Sequence, residues 1–418
     1  MKKASEVTAL VVSNGLDVSL AAKLSETYKR VLFHVPRDDE FPSLNDAMIG
    51  VGIGNIEVVE DMWGGAFDDA DLFVFPDLGF PGLQLRLESK GKPVWGARAG
   101  EEMEQDRVAM KKHLEKLGLP VGEWKQIKGF EALREYLQSH KNVFIKVSRY
   151  RGSWETLYST DYELVKPELD EAELALSGIS EEIEFIVEKK IEDAVEMATD
   201  SWTIDGQFPS GTLVGVERKD MAYAGGFMPW EKVPTLLRNL NDALAPTLRN
   251  YGYRGFWSPE SLLKGKDVYL NDPCTRIPYP PGELYLEFYT NLAEIIWAGS
   301  QGELIAPVPI AQVGVQLMLH SDWSNDHWNT FEWPSKYDRN VKLRESCRVG
   351  GKMRTIPQDV GIMLPGSVVG WGESLDEAEA MVLEVAESIK ATQLGVPLDA
   401  FDKLRESLEE AAFYGLKI

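Results

Sequence analysis

Asn142-Val143-Phe144-Ile145-Lys146-Val147 is a short apolar run carrying one cation, and Ser148-Arg149-Tyr150-Arg151-Gly152-Ser153-Trp154 follows it directly. The first reads as a buried strand that ends on a lysine, the second as a polar, cationic loop built around a glycine. Residues 184–191 (EFIVEKKI) read as another strand carrying Glu188, Lys190 and Ile191, and Glu196 lies eight residues past Glu188. Residues 256–263 and 267–271 predict an antiparallel pair joined by Lys264-Gly265-Lys266. Glu260 and Asp272 belong to this pair, and Arg276 follows Asp272 by four residues.

Upstream, residues 7–13 (VTALVVS), 30–35, 56–60, 71–75 and 92–96 are short apolar runs, with helical patterns at 18–29 and 83–90 between them. Strands alternating with helices, each strand continuously apolar, indicate a parallel α/β sheet over residues 1–100. Residues 101–117 predict one amphipathic helix with Met103, Met110, Leu114 and Leu117 on a stripe and Gly118 as its stop. Downstream, 201–204 reads as a strand, 284–297 as a helix and 306–309 (APVP) as a linker. The remainder predicts a smaller α+β module with strands at 349–363 and 367–370. There Ser374-x-x-Glu377 is a capping box opening a helix from 375 to about 392. No internal repeat or low-complexity tract is present.

The chain has 418 residues, 44 Lys+Arg and 67 Asp+Glu, for a formal net charge of −23. Such acidity argues against a broad grip on nucleic-acid phosphates, but leaves room for a small anion held by a few local cations. Two cysteines make a disulfide framework implausible and suit a reducing cytoplasm. The N-terminus reads as a first strand, not a signal peptide, and no apolar run is long enough to span a membrane. A soluble, cytoplasmic protein is expected.

Several signals point away from familiar chemistries. Gly50-Val51-Gly52-Ile53-Gly54 lacks the dinucleotide spacing and reads as a loop, which removes an NAD-dependent dehydrogenase. His34, His113, His140, His320 and His327 are scattered, Cys347 has no nucleophile's partner nearby, and no G-x-S-x-G occurs.

The residues around Lys146 suit a nucleoside triphosphate. An ammonium meets phosphates as a point charge, and loop N–H groups close over them. The strand backbone near Glu188 can read an adenine edge, and a carboxylate can accept ribose hydroxyls. Glu260 and Asp272 facing one point form a hard-cation site for Mg²⁺, and Arg276 can hold a transferring phosphoryl group.

In this order and spacing the elements resemble ATP-grasp enzymes over most of the chain. Asp71-Leu72-Phe73-Val74-Phe75-Pro76-Asp77, Gly91-Lys92-Pro93-Val94-Trp95-Gly96 and the Asp106-Arg107 helix look like the pre-ATP-grasp domain and its exit. Ala224-Gly225-Gly226-Phe227-Met228-Pro229 resembles the T-G-G-M-G-A-x-x-P segment of glycinamide ribonucleotide synthetase (phosphoribosylamine–glycine ligase). Ser367-Val368-Val369-Gly370-Trp371-Gly372-Glu373-Ser374-Leu375-Asp376-Glu377-Ala378 resembles that family's R-V-L-x-V-x-x-x-G-x-T-L-E-E-A stretch.

The resemblance implies an α/β fold in three parts: a pre-ATP-grasp parallel-sheet domain (1–100), a split α+β ATP-grasp core (101–305, lid subdomain about 120–192) and a small C-terminal α+β module (306–418). It implies an ATP-dependent ligase joining a small carboxylate to a small amine through an acyl phosphate. Lys146, Arg107 and Gly152 would hold the triphosphate, while Glu188, Lys190, Ile191 and Glu196 would seat the nucleoside. Glu260 and Asp272 would bind Mg²⁺, Arg276 and Lys146 would act in phosphoryl transfer, and Arg218, Gly225 and Gly226 would meet the acceptor.

The sequence departs from the family at defined points. Arg107 stands for a lysine, Asp272-x-Cys274-x-Arg276 for E-x-N-x-R, and Ile277-Pro278-Tyr279-Pro280-Pro281 for F-G-D-P-E. Cysteine for asparagine removes an oxygen ligand, which motivates a second reading: an ATP-binding protein of the same fold without catalysis.

Overall fold

The computed structural model describes residues 2–36, 44–148, 156–357 and 364–418. They fall into two compact units: residues 1–101, 196–260 and 274–418 form the first, residues 102–195 and 261–273 the second.

The first unit opens with a five-stranded, all-parallel sheet in the order Ile56–Val58, Arg30–His34, Thr8–Val12, Leu72–Val74, Val94–Trp95. Alternate side chains of one strand point to opposite faces, and here both faces are covered. Leu10, Val12, Leu32 and Phe73 belong to one apolar cluster, and Ala9, Val11, Val31, Phe33, Leu72 and Val74 to another. Each such fully buried side chain contributes about 1.5–3 kcal/mol, which explains why these strands read as continuous apolar runs.

A second, antiparallel sheet in this unit runs Val195–Ile204, Gly211–Arg218, Ala222–Pro229, Val313–Leu319, Gly366–Gly372, Val341–Leu343. Arg254–Trp257 pairs beside Val195–Ile204, and Asn329–Phe331, Lys352–Thr355 and Ser346–Val349 make a small third sheet. Helices Thr235–Asn250, Leu375–Ser388 and Ala400–Ala412 each bury an apolar stripe. Ser374 caps the second of these, its Oγ accepting the Glu377 N–H at 3.3 Å. Among the described residues no helix is long and apolar enough to cross a membrane.

The second unit holds a four-stranded antiparallel sheet, Trp124–Lys128, Glu184–Lys189, Val143–Val147, Thr156–Ser159, with helices Phe130–Leu137 and Tyr162–Ala175 packed on one face. Helix Arg107–Lys116 and the hairpin strands Glu260–Lys264 and Asp267–Asp272 complete it, with Gly265 at φ +62° in the turn.

The α/β class, with its parallel N-terminal sheet, is the one expected. Several elements differ, each for a local reason. The single helix over 101–117 is two, Glu102–Gln105 and Arg107–Lys116, because the Asp106 carboxylate accepts the Ala109 N–H at 2.9 Å and starts a new helix. Leu117 falls outside it and is exposed. The helix over 284–297 breaks into Gly282–Phe288 and Leu292–Ser300, because Thr290 donates its N–H to the Val308 carbonyl at 2.9 Å. The strand over 256–263 splits at Pro259, which has no N–H for a ladder. The helix from 18 stops at Leu24, where the Ser25 hydroxyl bonds the Ala22 carbonyl. Residues 349–363 contribute the hairpin Ser346–Val349 and Lys352–Thr355 through Gly350 and Gly351; residues 358–363 lie outside the described residues.

The largest departure concerns Gly225 and Gly226, expected in a substrate turn. Both sit inside the buried strand Ala222–Pro229, paired on both sides. A Cβ at Gly225 or Gly215 would lie 2.2 or 2.3 Å from the Tyr223 hydroxyl, so the two glycines make room for that ring along the sheet. A Cβ at Gly226 would lie 2.2 Å from Ile418 Cγ2. Absence of a side chain here serves packing, not ligand approach. Arg218 ends the neighbouring strand, exposed, at the register of Ala222 rather than of either glycine.

Candidate nucleotide-binding site

Strand periodicity places the chemistry of the second unit. Val143, Ile145 and Val147 point into its core, so Phe144 and Lys146 share the opposite face. Phe144 lies directly across from Glu188 in the sheet, which sets Lys146 diagonal to that carboxylate. The Lys146 ammonium sits 3.0 Å from Glu188 and 3.4 Å from the Asn271 amide oxygen. Lys111, one helical turn beyond Arg107, closes the triad with an ion pair to the same carboxylate. All three side chains are 12–14% exposed. Burial alone would raise the Glu188 carboxyl, but Lys146 and Lys111 hold it down to about 2, so it stays ionised.

Two clefts adjoin the triad, and both contain Lys111, Lys146, Glu188, Leu270 and Asn271. One adds Gly122, Phe144, Lys189, Ile191, Leu262 and Tyr269. The other adds Met103, Arg107, Met110, Leu114, Asp272 and Pro273. Arg107 is 9% exposed and donates to the Val147 carbonyl at 3.0 Å, which fixes its stem at the end of the lysine strand. Lys190 donates its N–H to the Asn142 carbonyl and pairs its ammonium with Glu192, so its side chain serves the surface. The Ile191 N–H has no hydrogen-bond partner among the described residues.

The structure therefore brings Arg107, Lys146, Glu188, Ile191 and Asp272 to two adjoining clefts. It adds Lys111 and Asn271, which sequence reasoning had not assigned. Lys111 was legible as the i+4 neighbour of Arg107 on one helix face. Gly152, Arg149 and Arg151 lie outside the described residues.

Glu196, Glu260, Arg276, Arg218, Gly225 and Gly226 belong to the first unit. There, Glu196, Asp200, Glu217 and Glu260 line a small cavity. Burial, with the Glu260 and Glu196 carboxylates, pushes Glu217 well above the usual carboxylate range. Among the described residues no group of three His, Cys, Asp or Glu is disposed to hold a metal ion. Mg²⁺ usually takes only one or two carboxylates and completes its shell with phosphate oxygens and water, so Glu260 and Asp272 offer the kind of donor it takes. Cys274 is buried at 3% exposure, its thiol 3.8 Å from the Arg276 carbonyl, and it offers no oxygen ligand.

The strand order of the parallel sheet reverses between Thr8–Val12 and Leu72–Val74, and ligands favour the carboxyl ends of strands at such a point. The loops leaving those two strands carry Ser13, Asn14, Asp17 and Asp77. Asn14 donates to Asp77 at 2.8 Å, Ser13 to Asp17 at 2.8 Å, and the Tyr279 hydroxyl to Asp17. Arg276 lies 3.8 Å from Asp77, anchored where the Ile277 N–H meets the Pro76 carbonyl at 2.8 Å. Arg344 covers the Tyr279 ring at 4.2 Å and pairs with Glu283 at 2.6 Å. Burial, then the neighbouring Asp77 carboxylate, pushes Asp17 up to about 7. Sequence reasoning missed this cluster; the order of strands, which no single strand encodes, was the needed signal.

In three dimensions the chain is similar to phosphoribosylamine–glycine ligase from Thermotoga maritima, with TM-score 0.68 and 15% identity over 94% of this chain and 100% of that one. The fold is that of the ATP-grasp enzymes. A similar structure is the biotin carboxylase domain of Hydrogenobacter thermophilus 2-oxoglutarate carboxylase, crystallised with MgADP, ADP and bicarbonate. It has TM-score 0.68 and 12% identity, with 99% of each chain covered. Another is N5-carboxyaminoimidazole ribonucleotide synthetase from Thermus thermophilus, with TM-score 0.58 and 16% identity over 91% of this chain and 98% of that one. No family model matches the sequence, and a search of curated proteins finds no match.

One buried carboxylate gives a pH prediction. Asp200 is 1% exposed and accepts from Tyr223 at 2.6 Å and Ser258 at 2.7 Å, yet burial pushes it up to about 6. A carboxyl raised in the folded state takes its proton first as pH falls. Its stabilising contribution is complete below its ordinary value and is lost as pH rises through about 6. Thermal unfolding of Asp200→Asn across pH 5–7 should show a shallower slope than wild type; identical slopes would contradict this assignment.

Proposed function

We propose that this chain is an ATP-dependent carboxylate–amine ligase of the glycinamide-ribonucleotide-synthetase kind. The observation that carries the reading is the Lys111–Glu188–Lys146 triad, 12–14% exposed, at two adjoining clefts that each set cations beside apolar side chains. In a chain with the ATP-grasp fold, cations beside apolar side chains suit the phosphates and the purine of a nucleotide. The names ligase, carboxylase and synthetase among its structural neighbours, and the MgADP in one of them, support the same class.

ATP supplies the phosphoryl group that activates the carboxylate. Lys146 and Arg107 hold the phosphates by charge, Gly152 remains a proposed backbone contact to them, and Glu188 holds the Lys146 ammonium in place. Ile191 offers a backbone N–H to the base edge, and Glu196 remains the proposed ribose contact. Glu260 and Asp272 keep their proposed Mg²⁺ role, and Arg276, oriented by Asp77, stabilises charge on the phosphoryl group in flight. The acceptor moves from Arg218, Gly225 and Gly226 to the loops with Asn14, Asp17 and Asp77, whose carboxylates suit a protonated amine. In this reading residues 1–100, 101–305 and 306–418 are three parts of one enzyme.

The buried Cys274 favours a second reading, an ATP-binding protein of this fold without turnover. Isothermal titration with ATP and Mg²⁺, followed by phosphate release with a panel of amino acids and amines, separates the two. Turnover with any pair supports the ligase, binding with none supports the second reading, and no binding of ATP overturns both.

A further inference from the structure

A groove of about 230 Å³ in the first unit shares no residue with the two clefts around Lys146 or the switch-point cluster. Its floor is Glu287, 2% exposed, on which three cations converge: Lys342 at 2.8 Å, Arg339 at 2.9 Å and Lys23 at 3.0 Å. Although burial opposes it, Lys342, then Lys23 and Arg339, keep the Glu287 carboxyl below its ordinary range. One cation would neutralise this carboxylate; three leave donors over, although Lys23 also pairs with Glu26 at 2.8 Å. Arg339 donates its Nε–H to Glu287, and its guanidinium lies over the Trp371 ring at 5.2 Å, with its terminal N–H groups making no hydrogen bond among the described residues. Each ammonium carries three N–H groups, of which Lys342 uses one on Glu287.

The rest of the lining adds to the surplus. Arg348, exposed on the rim, has no ion pair among the described residues, and Asp338 is engaged by the Trp333 indole N–H at 2.8 Å. Four cations thus stand against three carboxylates, Glu26, Asp338 and Glu287, in a chain whose formal net charge is −23. Ile53, Val341, Leu343 and Met353 also line the groove. A buried Lys–Glu pair recovers its desolvation cost poorly as a stabilising device, so surplus cations beside a cavity argue for a ligand.

We propose that this groove binds a small organic anion, a carboxylate or phosphate on an apolar body, with Arg339, Lys342 and Lys23 at its charged end. This site goes beyond the ligase reading and does not depend on it. Isothermal titration of the full chain with benzoate and with phenyl phosphate tests it. Saturable binding of at least one probe is expected, weakened roughly tenfold or more in Arg339→Ala and several-fold in Arg348→Ala, with ATP affinity unchanged. Preference between the probes decides carboxylate against phosphate. Arg339→Ala leaves Lys342 and Lys23 on Glu287, so the fold is retained; the double variant Glu287→Leu/Lys342→Met removes the buried charges together and should also lose binding. No saturable binding of either probe up to about 10 mM, or equal affinity in wild type and Arg339→Ala, would overturn the proposal.

Discussion

Lys146→Ala abolishes ATP turnover and weakens nucleotide binding roughly a hundredfold, while the fold survives. The magnitude follows from what is removed. Lys146, with Lys111, is shared by both clefts, and it is 12% exposed, where a charge-assisted contact to phosphate is poorly screened by water. The fold survives because Glu188 keeps its ion pair with Lys111, so no buried carboxylate is left alone. Isothermal titration with ATP and Mg²⁺, phosphate release and far-UV circular dichroism together check the three parts of this expectation. Asp272→Ala should lose turnover with a smaller loss of affinity, because a metal ligand acts on the phosphates through the ion. Full turnover in Lys146→Ala would sink the assignment of these clefts to ATP.

The second large effect is on stability. Arg344→Met strands Glu283, 5% exposed, with only the Gln316 amide donating to its carboxylate. Breaking a buried pair by removing one partner costs about 3–5 kcal/mol, because the remaining charge is neither hydrated nor neutralised. In a chain of this size that corresponds to a fall in Tm of roughly 3–6 °C, with the Tyr279 ring losing its guanidinium cover as well. Adding Glu283→Gln to the same chain removes the stranded charge and should recover part of the loss. A Tm for Arg344→Met within about 2 °C of wild type, read by calorimetry, would contradict it.

These two sites differ in how far the sequence announced them. Lys146, Glu188, Arg107, Ile191 and Asp272 were readable because strand and helix period, together with the order of motifs, assign each a face and a place. Lys111 was half visible. Arg344 and Glu283 were not visible at all: 61 residues separate them, and nothing local in either segment names the other. The same holds for Tyr279 and Asp17, 262 residues apart. The glycines at 225 and 226 misled because a glycine run carries two meanings, close approach of a ligand or close approach of the protein's own rings. Only the Tyr223 side chain lying across Gly215 and Gly225 decides between them.

By itself, the sequence determined the α/β class, the parallel strands of the first hundred residues, and the strand-borne lysine whose face is opposite the core. Those are consequences of period and of continuous apolar runs, which short-range sterics and burial impose residue by residue. The tertiary structure alone decided that Glu188 is an ion-pair partner of two lysines. It also decided that Asp106 cuts a helix in two, and that Asp17, Asp77 and Arg276 meet at the reversal of strand order. Those outcomes rest on which distant charges and rings are brought within a few ångströms, and electrostatic and packing energies at that range do not scale with distance along the chain.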